Sequence, residues 1–405
     1  MIIKVATIKD VCTQINGVTY GKDDVSDTCK ANYSPILRAS NISNDGTNNY
    51  DNLIYVKSNL VSDSKHIKEG DILIASSTGS KKVIGKATQF QSDFNGSFGA
   101  FCKVLRPNEN INKKYLGFFF QRPEYRKYIS TVVNGANINN IRSSHLNDIE
   151  IPLPPLETQK QIAQVLETAD QLRKDCQQVE QELNALAQSM FLDMFGDPVI
   201  NPKGWKEQNF SGLIHGFKYG SSVKSGDQGT PILRIPNVTG GKISLSDLKH
   251  VLLSKNELEK NTLINGDILF VRTNGNRAYI GRSAVFDLKG IFVYASYLIR
   301  ARVNEKLVTP YFITALLRTN SGREMLMKQA KTTAGQFNIN TQGLGNLKIY
   351  IPPLSLQKRF ESIFLLIEKQ KDENRGKLKQ FDDLFNALLQ KAFKGELNLK
   401  STEHA

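Results

Sequence analysis

The stretch Ile151-Pro152-Leu153-Pro154-Pro155-Leu156-Glu157-Thr158-Gln159 recurs as Ile349-Tyr350-Ile351-Pro352-Pro353-Leu354-Ser355-Leu356-Gln357. In both places an apolar run ends at two prolines, which lack the amide hydrogen needed to extend a ladder, and a helical pattern begins behind them. Two matching hinges this far apart imply that a whole module has been written twice, because the spacing far exceeds any solenoid repeat. Upstream of the hinges the repeat continues. Pro35-Ile36-Leu37-Arg38-Ala39-Ser40-Asn41-Ile42 matches Pro231-Ile232-Leu233-Arg234-Ile235-Pro236-Asn237-Val238, Gly70-Asp71-Ile72-Leu73-Ile74 matches Gly266-Asp267-Ile268-Leu269-Phe270, and Tyr115-Leu116 matches Tyr311-Phe312. Gly17-Val18-Thr19-Tyr20-Gly21 is paired with Gly216-Phe217-Lys218-Tyr219-Gly220.

Downstream of the first hinge, Ile162, Val165, Ala169, Leu172, Cys176, Val179, Leu183, Leu186 and Met190 alternate at spacings of three and four, the seam of a coiled coil. Behind the second hinge the seam reads Phe360, Phe364, Ile367, Lys371, Asn374, Leu378, Phe381, Phe385, Leu388 and Ala392. Its polar Lys371 and Asn374 are of the kind that fixes register. A helix of about 36 residues spans roughly 50 Å, more than a single small domain buries. The two seams are therefore expected to pack on each other, antiparallel.

Ahead of each hinge lie mixed segments. Asp71 to Ala75 and Ile291 to Ile299 have the β-branched and aromatic content of strands, whereas 113–130 and 309–331 have helical periodicity. The expected fold is α+β: two pseudo-repeated globular domains separated by two long helices that form an antiparallel coiled coil. The expected boundaries are 1–150, first domain; 151–204, hinge and central helix; 205–350, second domain; 351–405, hinge and C-terminal helix.

A chain of 405 residues with 40% hydrophobic and 23% charged residues is long enough for two cores and too apolar for disorder. No apolar run approaches the roughly 18 residues of a membrane span, and no secretory leader is visible, so a cytoplasmic location with no membrane partner is expected. Cys12, Cys29, Cys102 and Cys176 are scattered without metal-ligand spacing, so no metal is expected. The net charge of +14 points to a polyanion. It is uneven: residues 1–150 carry +5 (19 basic against 14 acidic) and 205–350 carry +11 (20 against 9), while 151–204 carry −4 and 351–405 carry +2. Basic charge on the domains rather than along the helices favours nucleic acid over a membrane surface.

No Ser/His/Asp or carboxylate constellation stands out. Gly79 to Lys86 has the wrong spacing for a phosphate-binding loop, with Ala87 where a magnesium-binding hydroxyl is required. The Asn/Asp-Pro-Pro-aromatic tetrad of amino-group methyltransferases is absent, since Asp197-Pro198-Val199 and Asn201-Pro202-Lys203 do not supply it. Asp71 and Asp267 read as turn residues entering buried strands.

The candidate nucleic-acid contacts are polar loops at repeated positions, because amides, hydroxyls and arginines read base edges while lysines and arginines hold phosphates. After the first Gly-Asp strand these are Ser76, Ser77, Thr78, Lys81 and Lys82; after the second, Arg272, Thr273, Asn274, Asn276 and Arg277. Amide-rich segments before the hinges add Asn137, Asn139 and Arg142, then Gln336, Asn338 and Asn340. Arg38 with Asn41, and Arg234 with Asn237, complete the set.

The hinges with their following glutamines, the run Gln188-Ser189-Met190-Phe191-Leu192-Asp193-Met194-Phe195-Gly196-Asp197-Pro198, and Asn201-Pro202-Lys203-Gly204-Trp205 resemble the central region of type I restriction-modification specificity subunits. The resemblance covers essentially the whole chain. It implies that the domains are target recognition domains, each reading one half of a bipartite double-stranded DNA site. It further implies that the helices set the spacing and dock two modification subunits carrying S-adenosylmethionine, that restriction subunits bring ATP, and that this chain is non-catalytic and binds no cofactor itself. The alternative is a non-catalytic protein-binding adaptor with two modules on a helical stalk.

Overall fold

The computed structural model describes residues 4–43, 47–133, 139–333 and 335–399. The chain divides into two compact units that do not follow chain order: Met1–Cys176 with Lys377–Ala405, and Gln177–Gly376. Both divisions fall inside long helices, Leu156–Phe195 and Leu354–Lys394. The fold is α+β, with the two long helices packed as an antiparallel pair within each unit.

In the first unit an antiparallel sheet has the order Cys12–Asn16, Cys102–Pro107, Ile72–Ala75, Ala87–Gln89. A second sheet contains Val25–Ser26, Ile54–Lys57, Tyr33–Leu37 and Ser97–Phe98. Ile72–Ala75 is buried on both faces, which is why it reads as a continuous apolar run rather than an alternating one. The second unit repeats the first sheet as Ile214–Tyr219, Leu298–Val303, Ile268–Val271, Ser283–Val285, and beside it Lys249–Val251, Thr230–Leu233 and Val293–Tyr294 form a three-stranded sheet.

The central strands begin at the same device. Asp71 is fully buried and pairs with the Arg106 guanidinium at 2.8 and 2.9 Å, while its carboxylate also accepts the Lys68 amide. Asp267 is equally buried, pairs with Arg302 at 2.8 Å through both oxygens, and accepts the Ile264 amide. Both aspartates are thus strand anchors.

The structure departs from the sequence reading in several places. The helical stretches are each split in two, Lys113–Phe120 with Pro123–Val132 and Pro310–Arg318 with Asn320–Gln329. Pro123 begins a new helix at its first turn. Thr319 caps the other: its hydroxyl accepts from the Gly322 amide and donates to the Leu316 carbonyl. The apolar run at 291–299 is two strands, Val293–Tyr294 and Leu298–Val303, with Tyr297 on the turn between them. Gly17 is equivalent not to Gly216 but to Gly220. A Cβ on Gly17 would lie 2.1 Å from the Gly99 carbonyl oxygen and one on Gly220 would lie 2.1 Å from that of Tyr294, so both mark the same close backbone crossing.

Within the first unit, Ile162, Ala163, Leu166 and Ala169 share a core with Phe385, Leu389, Ala392 and Phe393 and with Tyr115, Phe118 and Phe119 of the domain. The Arg173 guanidinium lies 4.5 Å from the Phe385 ring centroid and donates to Asp382 at 2.6 Å. Within the second unit, Phe191 and Phe195 pack edge-on against Phe360, and Glu180 accepts from Arg375 at 2.6 Å. Residue numbers rise along one helix as they fall along the other, which is the antiparallel arrangement.

The C-terminal seam is buried at Phe360, Phe364, Ile367, Lys371, Asn374, Phe385 and Ala392 and half-buried at Leu378, Phe381 and Leu388. The first seam requires correction. Ile162, Ala169 and Cys176 are buried and Val165, Leu183 and Met190 half-buried, but Leu172, Val179 and Leu186 are exposed at 37%, 39% and 52%. The positions one residue on, Leu166, Arg173, Glu180 and Ala187, take the inner face, because cross-helix ion pairs and the guanidinium set over Phe385 hold polar side chains there.

Removing one partner of a buried ion pair strands the other, so Asp267→Ala is expected to cost about 3 kcal/mol. The measurement is a urea melt with circular dichroism. Lys249→Ala, which breaks a surface pair with Asp227, should leave the midpoint in place; equal midpoints for both variants would refute the anchor role.

Candidate nucleic-acid interface

In each unit the central strand delivers the chain into a short two-sided ribbon. Ser77–Thr78 pairs antiparallel with Asn139–Asn140, setting Thr78 opposite Asn139 and Ser77 opposite Asn140. Thr273–Asn274 pairs with Gln336–Asn338, setting Thr273 opposite Asn338 and Asn274 opposite Phe337, and Lys331–Thr333 extends that ribbon to three strands. The same backbone bond closes both: the Ile141 amide donates to the Ser76 carbonyl at 2.8 Å, and the Ile339 amide to the Arg272 carbonyl at 2.9 Å. Polar segments some sixty residues apart in the chain therefore meet on one surface.

The ribbons carry different side chains. In the first unit Ser77 and Thr78 are half-buried, Lys81, Lys82, Asn140 and Arg142 are exposed, and the Thr78 hydroxyl accepts the Ser80 amide. Ser76 is buried, its backbone taken up on both sides, so its side chain is withdrawn from the surface. Asn137 lies outside the described residues. In the second unit the Arg272 guanidinium sits 4.7 Å from the Tyr219 ring centroid, a stack that presents it as a flat, oriented donor. The Thr273 hydroxyl donates to Gln336 at 3.1 Å. Asn274 and Asn276 each use the side-chain oxygen to accept an amide two residues on, and Arg277 is exposed. Asn338 is half-buried and donates to the Gln336 carbonyl, while Asn340 caps the short helix Thr341–Gly345 by accepting the Gly343 amide.

Behind the ribbons the two units differ more sharply. In the first, the Lys103 ammonium donates to Asn16 at 3.1 Å and to the Ser143 hydroxyl at 2.9 Å, and the Gln14 amide reaches the same hydroxyl at 2.6 Å. Partial burial pulls the Lys103 ammonium below the usual lysine range. In the second, the strand positions that face each other in that register are Tyr219 and Ile299, and the Tyr219 hydroxyl accepts from the Thr341 amide at 3.4 Å.

Arg38 with Asn41 and Arg234 with Asn237 do not join these surfaces. Asn41 is buried, accepts the Arg38 amide at 2.9 Å and donates to the carbonyls of Asn49 and Asp51; Asn237 does the same for the Arg234 amide and the Ser244 and Ser246 carbonyls. Arg38 binds the Asn52 carbonyl, and Arg234 binds the Asp247 carbonyl and carboxylate. A buried amide with its oxygen and both hydrogens engaged offers no edge to a base, so the repeated Arg-x-x-Asn element is a loop clamp.

Two residues on these surfaces escaped the sequence reading. Phe101 and Tyr297 are 68% and 59% exposed. Their carbonyls bond the ribbons: Phe101 accepts the Ser76 and Ser77 amides, Tyr297 the Arg272 amide. The signal was available, since they sit at the same repeat offset as Asp71 and Asp267. Among the described residues, no group of three or more His, Cys, Asp or Glu is placed to hold a metal, and no helix is long and apolar enough to cross a membrane.

A doubled α+β domain carried on paired long helices, with a variable polar ribbon on each copy, defines a two-headed recognition protein. The family model for the type I restriction modification DNA specificity domain matches the chain twice, over residues 3–185 and 202–388. The chain belongs to the type I restriction-modification specificity subunit family. It is 34% identical to the EcoKI specificity subunit of Escherichia coli strain K12 over 97% of this chain and 89% of that protein. It is 32% identical to the StySPI specificity subunit of Salmonella potsdam over 97% and 88%. A solved type I restriction-modification S subunit from M. genitalium shares the fold with a TM-score of 0.56 at 15% identity, covering 97% of this chain and 96% of that one.

The clamp can be tested apart from any ligand. Asn237→Ala strands a backbone amide and two carbonyls in a buried turn and is expected to cost about 2 kcal/mol, read as a lowered unfolding midpoint. Asn276→Ala, on an exposed turn, should not move it; equal stability of the two variants would return Asn237 to the list of candidate contacts.

Proposed function

We propose that this chain reads DNA sequence for a type I restriction-modification enzyme, its two recognition domains (1–150 and 205–350) each reading one half of a bipartite double-stranded site. The observation that carries this is the pair of ribbons. One scaffold, with matching strands, ion pairs and clamps, presents two different sets of amides, hydroxyls and cations, as two half-sites of different sequence require. The excess of positive charge on both domains supplies the phosphate attraction that any duplex binder needs.

Methyl transfer belongs, in this reading, to modification subunits that bring S-adenosylmethionine, and ATP-driven restriction to further subunits. The central helix supports a docking role. Val179 and Leu186 recur at a spacing of seven on its outer face, and Leu172 is also exposed one heptad earlier. Covering the remaining exposed part of each such side chain is worth about 1 kcal/mol, and together they favour a partner on that face.

Mixed with cognate modification subunits and labelled S-adenosylmethionine, the chain is expected to direct adenine methylation to one bipartite motif, identified by methylome sequencing. Alone it should transfer nothing. Val179→Asp with Leu186→Asp should abolish methylation by the mixture while the chain stays folded. Methyl transfer by the isolated chain, or failure of the assembled complex to bind any duplex, would overturn the reading. Arg272→Ala is expected to cost about 1 to 3 kcal/mol in one half-site and leave the other unchanged. Lys81→Ala should weaken all sequences alike and lower the salt slope by about one. Equal loss at both half-sites for Arg272→Ala in an assembled complex would count against domain-by-domain reading.

A further inference from the structure

Phe101 and Tyr297 occupy the same place in the two recognition domains, on the turn that leads into the long strands Cys102–Pro107 and Leu298–Val303. A single exposed apolar side chain is ordinary and needs no explanation. These two differ from that background in their setting. The turn is tied down: the Cys102 amide donates to Gly99 at 2.8 Å and the Leu298 amide to Ala295 at 2.9 Å, while the Gly99 and Ala295 amides donate to the Leu37 and Leu233 carbonyls at 2.9 Å. The same turn is bolted to the ribbon, through Phe101 to the amides of Ser76 and Ser77 at 2.9 and 3.0 Å and through Tyr297 to Arg272 at 2.9 Å. All of these bonds use the backbone, so nothing in the turn depends on the ring. An aromatic ring has nevertheless been placed in water twice, on a fixed support beside the polar ribbon of a basic domain.

The chemistry of the ring narrows what it meets. Phe101 has no hydrogen-bonding group, so it contributes no donor or acceptor code; what it offers is an apolar face for base, sugar or thymine methyl. Aromatic contacts of this kind tolerate sequence change while adding affinity, since every base has a π-face.

We propose that Phe101 and Tyr297 are DNA-contacting residues, each setting its ring against base and sugar carbons of the half-site read by the neighbouring ribbon. The inference rests on the function proposed above. The rings add affinity and fix the depth at which each domain seats, whereas the ribbon side chains discriminate bases. The Tyr297 hydroxyl is dispensable to the contact.

The test uses the full chain assembled with its modification subunits and a labelled duplex carrying its methylated motif, with affinity read by fluorescence anisotropy across a salt series. Phe101→Ala and Tyr297→Ala are each expected to weaken binding about tenfold with an unchanged salt slope, because no charge is removed. Phe101→Leu should fall between wild type and alanine, and Tyr297→Phe should match wild type. Affinities of both alanine variants equal to wild type would overturn the inference while leaving the proposed function standing. A loss that tracks a fall in unfolding temperature or in assembly would also overturn it, by making the rings structural. A wild-type complex that binds no duplex would remove the functional reading and the inference with it.

Discussion

In each unit a buried glutamine amide fixes the start of a long helix to the domain, beside the apolar core that the two share. Gln159 accepts the Asn112 amide at 2.8 Å and donates to the Pro154 carbonyl at 2.8 Å; Gln357 accepts the Thr309 amide at 2.9 Å and donates to Pro352 and Leu307 at 2.8 and 3.0 Å. Asn112 and Thr309 are the N-cap residues of the first domain helix in each copy. The Pro-Pro steps remove two backbone donors at the hinge, and the glutamine side chain supplies the missing donor and an acceptor in a space that excludes water. An apolar residue there would strand several buried groups at about 1 to 3 kcal/mol each. That is why the two hinges keep their glutamine while the residues just before it, Glu157-Thr158 and Ser355-Leu356, are free to differ.

With the domain seated, its sheet is anchored by the Asp71 to Arg106 and Asp267 to Arg302 pairs and its variable turns by Asn41 and Asn237. These contacts are repeated almost atom for atom. What they support is not repeated: Lys103, Asn16, Gln14 and Ser143 form a polar network behind one ribbon, whereas Arg272 stacked on Tyr219 stands behind the other. In the proposed reading, the division between a constant frame and an inconstant surface would let sequence preference change without refolding. No ribbon residue discussed above takes part in the ion pairs, clamps or hinge bonds.

The parts legible in the sequence were those where identity and periodicity carry the physics. The duplicated hinges, the buried central strands and the C-terminal seam all announce themselves through residues whose role is local or repeated. The inner face of the central helix did not. Two stripes, through Val165, Leu172, Val179 and Leu186 or through Leu166, Arg173, Glu180 and Ala187, share the same residues every seventh position, and apolar content alone favours the first. The choice is made by Asp382 and Arg375, some two hundred residues away, and no local pattern contains them. Asn41 and Asn237 posed a related problem: a side-chain amide suited to an adenine edge is equally suited to a buried turn, and only tertiary burial separates the two uses.

The polar inner stripe has a physical rationale of its own. Arg173 meets Asp382 in one unit and Glu180 meets Arg375 in the other, and each helix separates its two charged residues by seven. A seam of apolar side chains alone would tolerate sliding by one heptad, since leucine packs on leucine in either register. Here a slip in one direction would bring Arg173 opposite Arg375 and Glu180 opposite Glu368, and a slip in the other would bring Glu180 opposite Asp382. Both alternatives set like charges face to face in a partly desolvated seam, where repulsion is felt more strongly than in water. The ion pairs therefore contribute little to net stability and much to uniqueness of register.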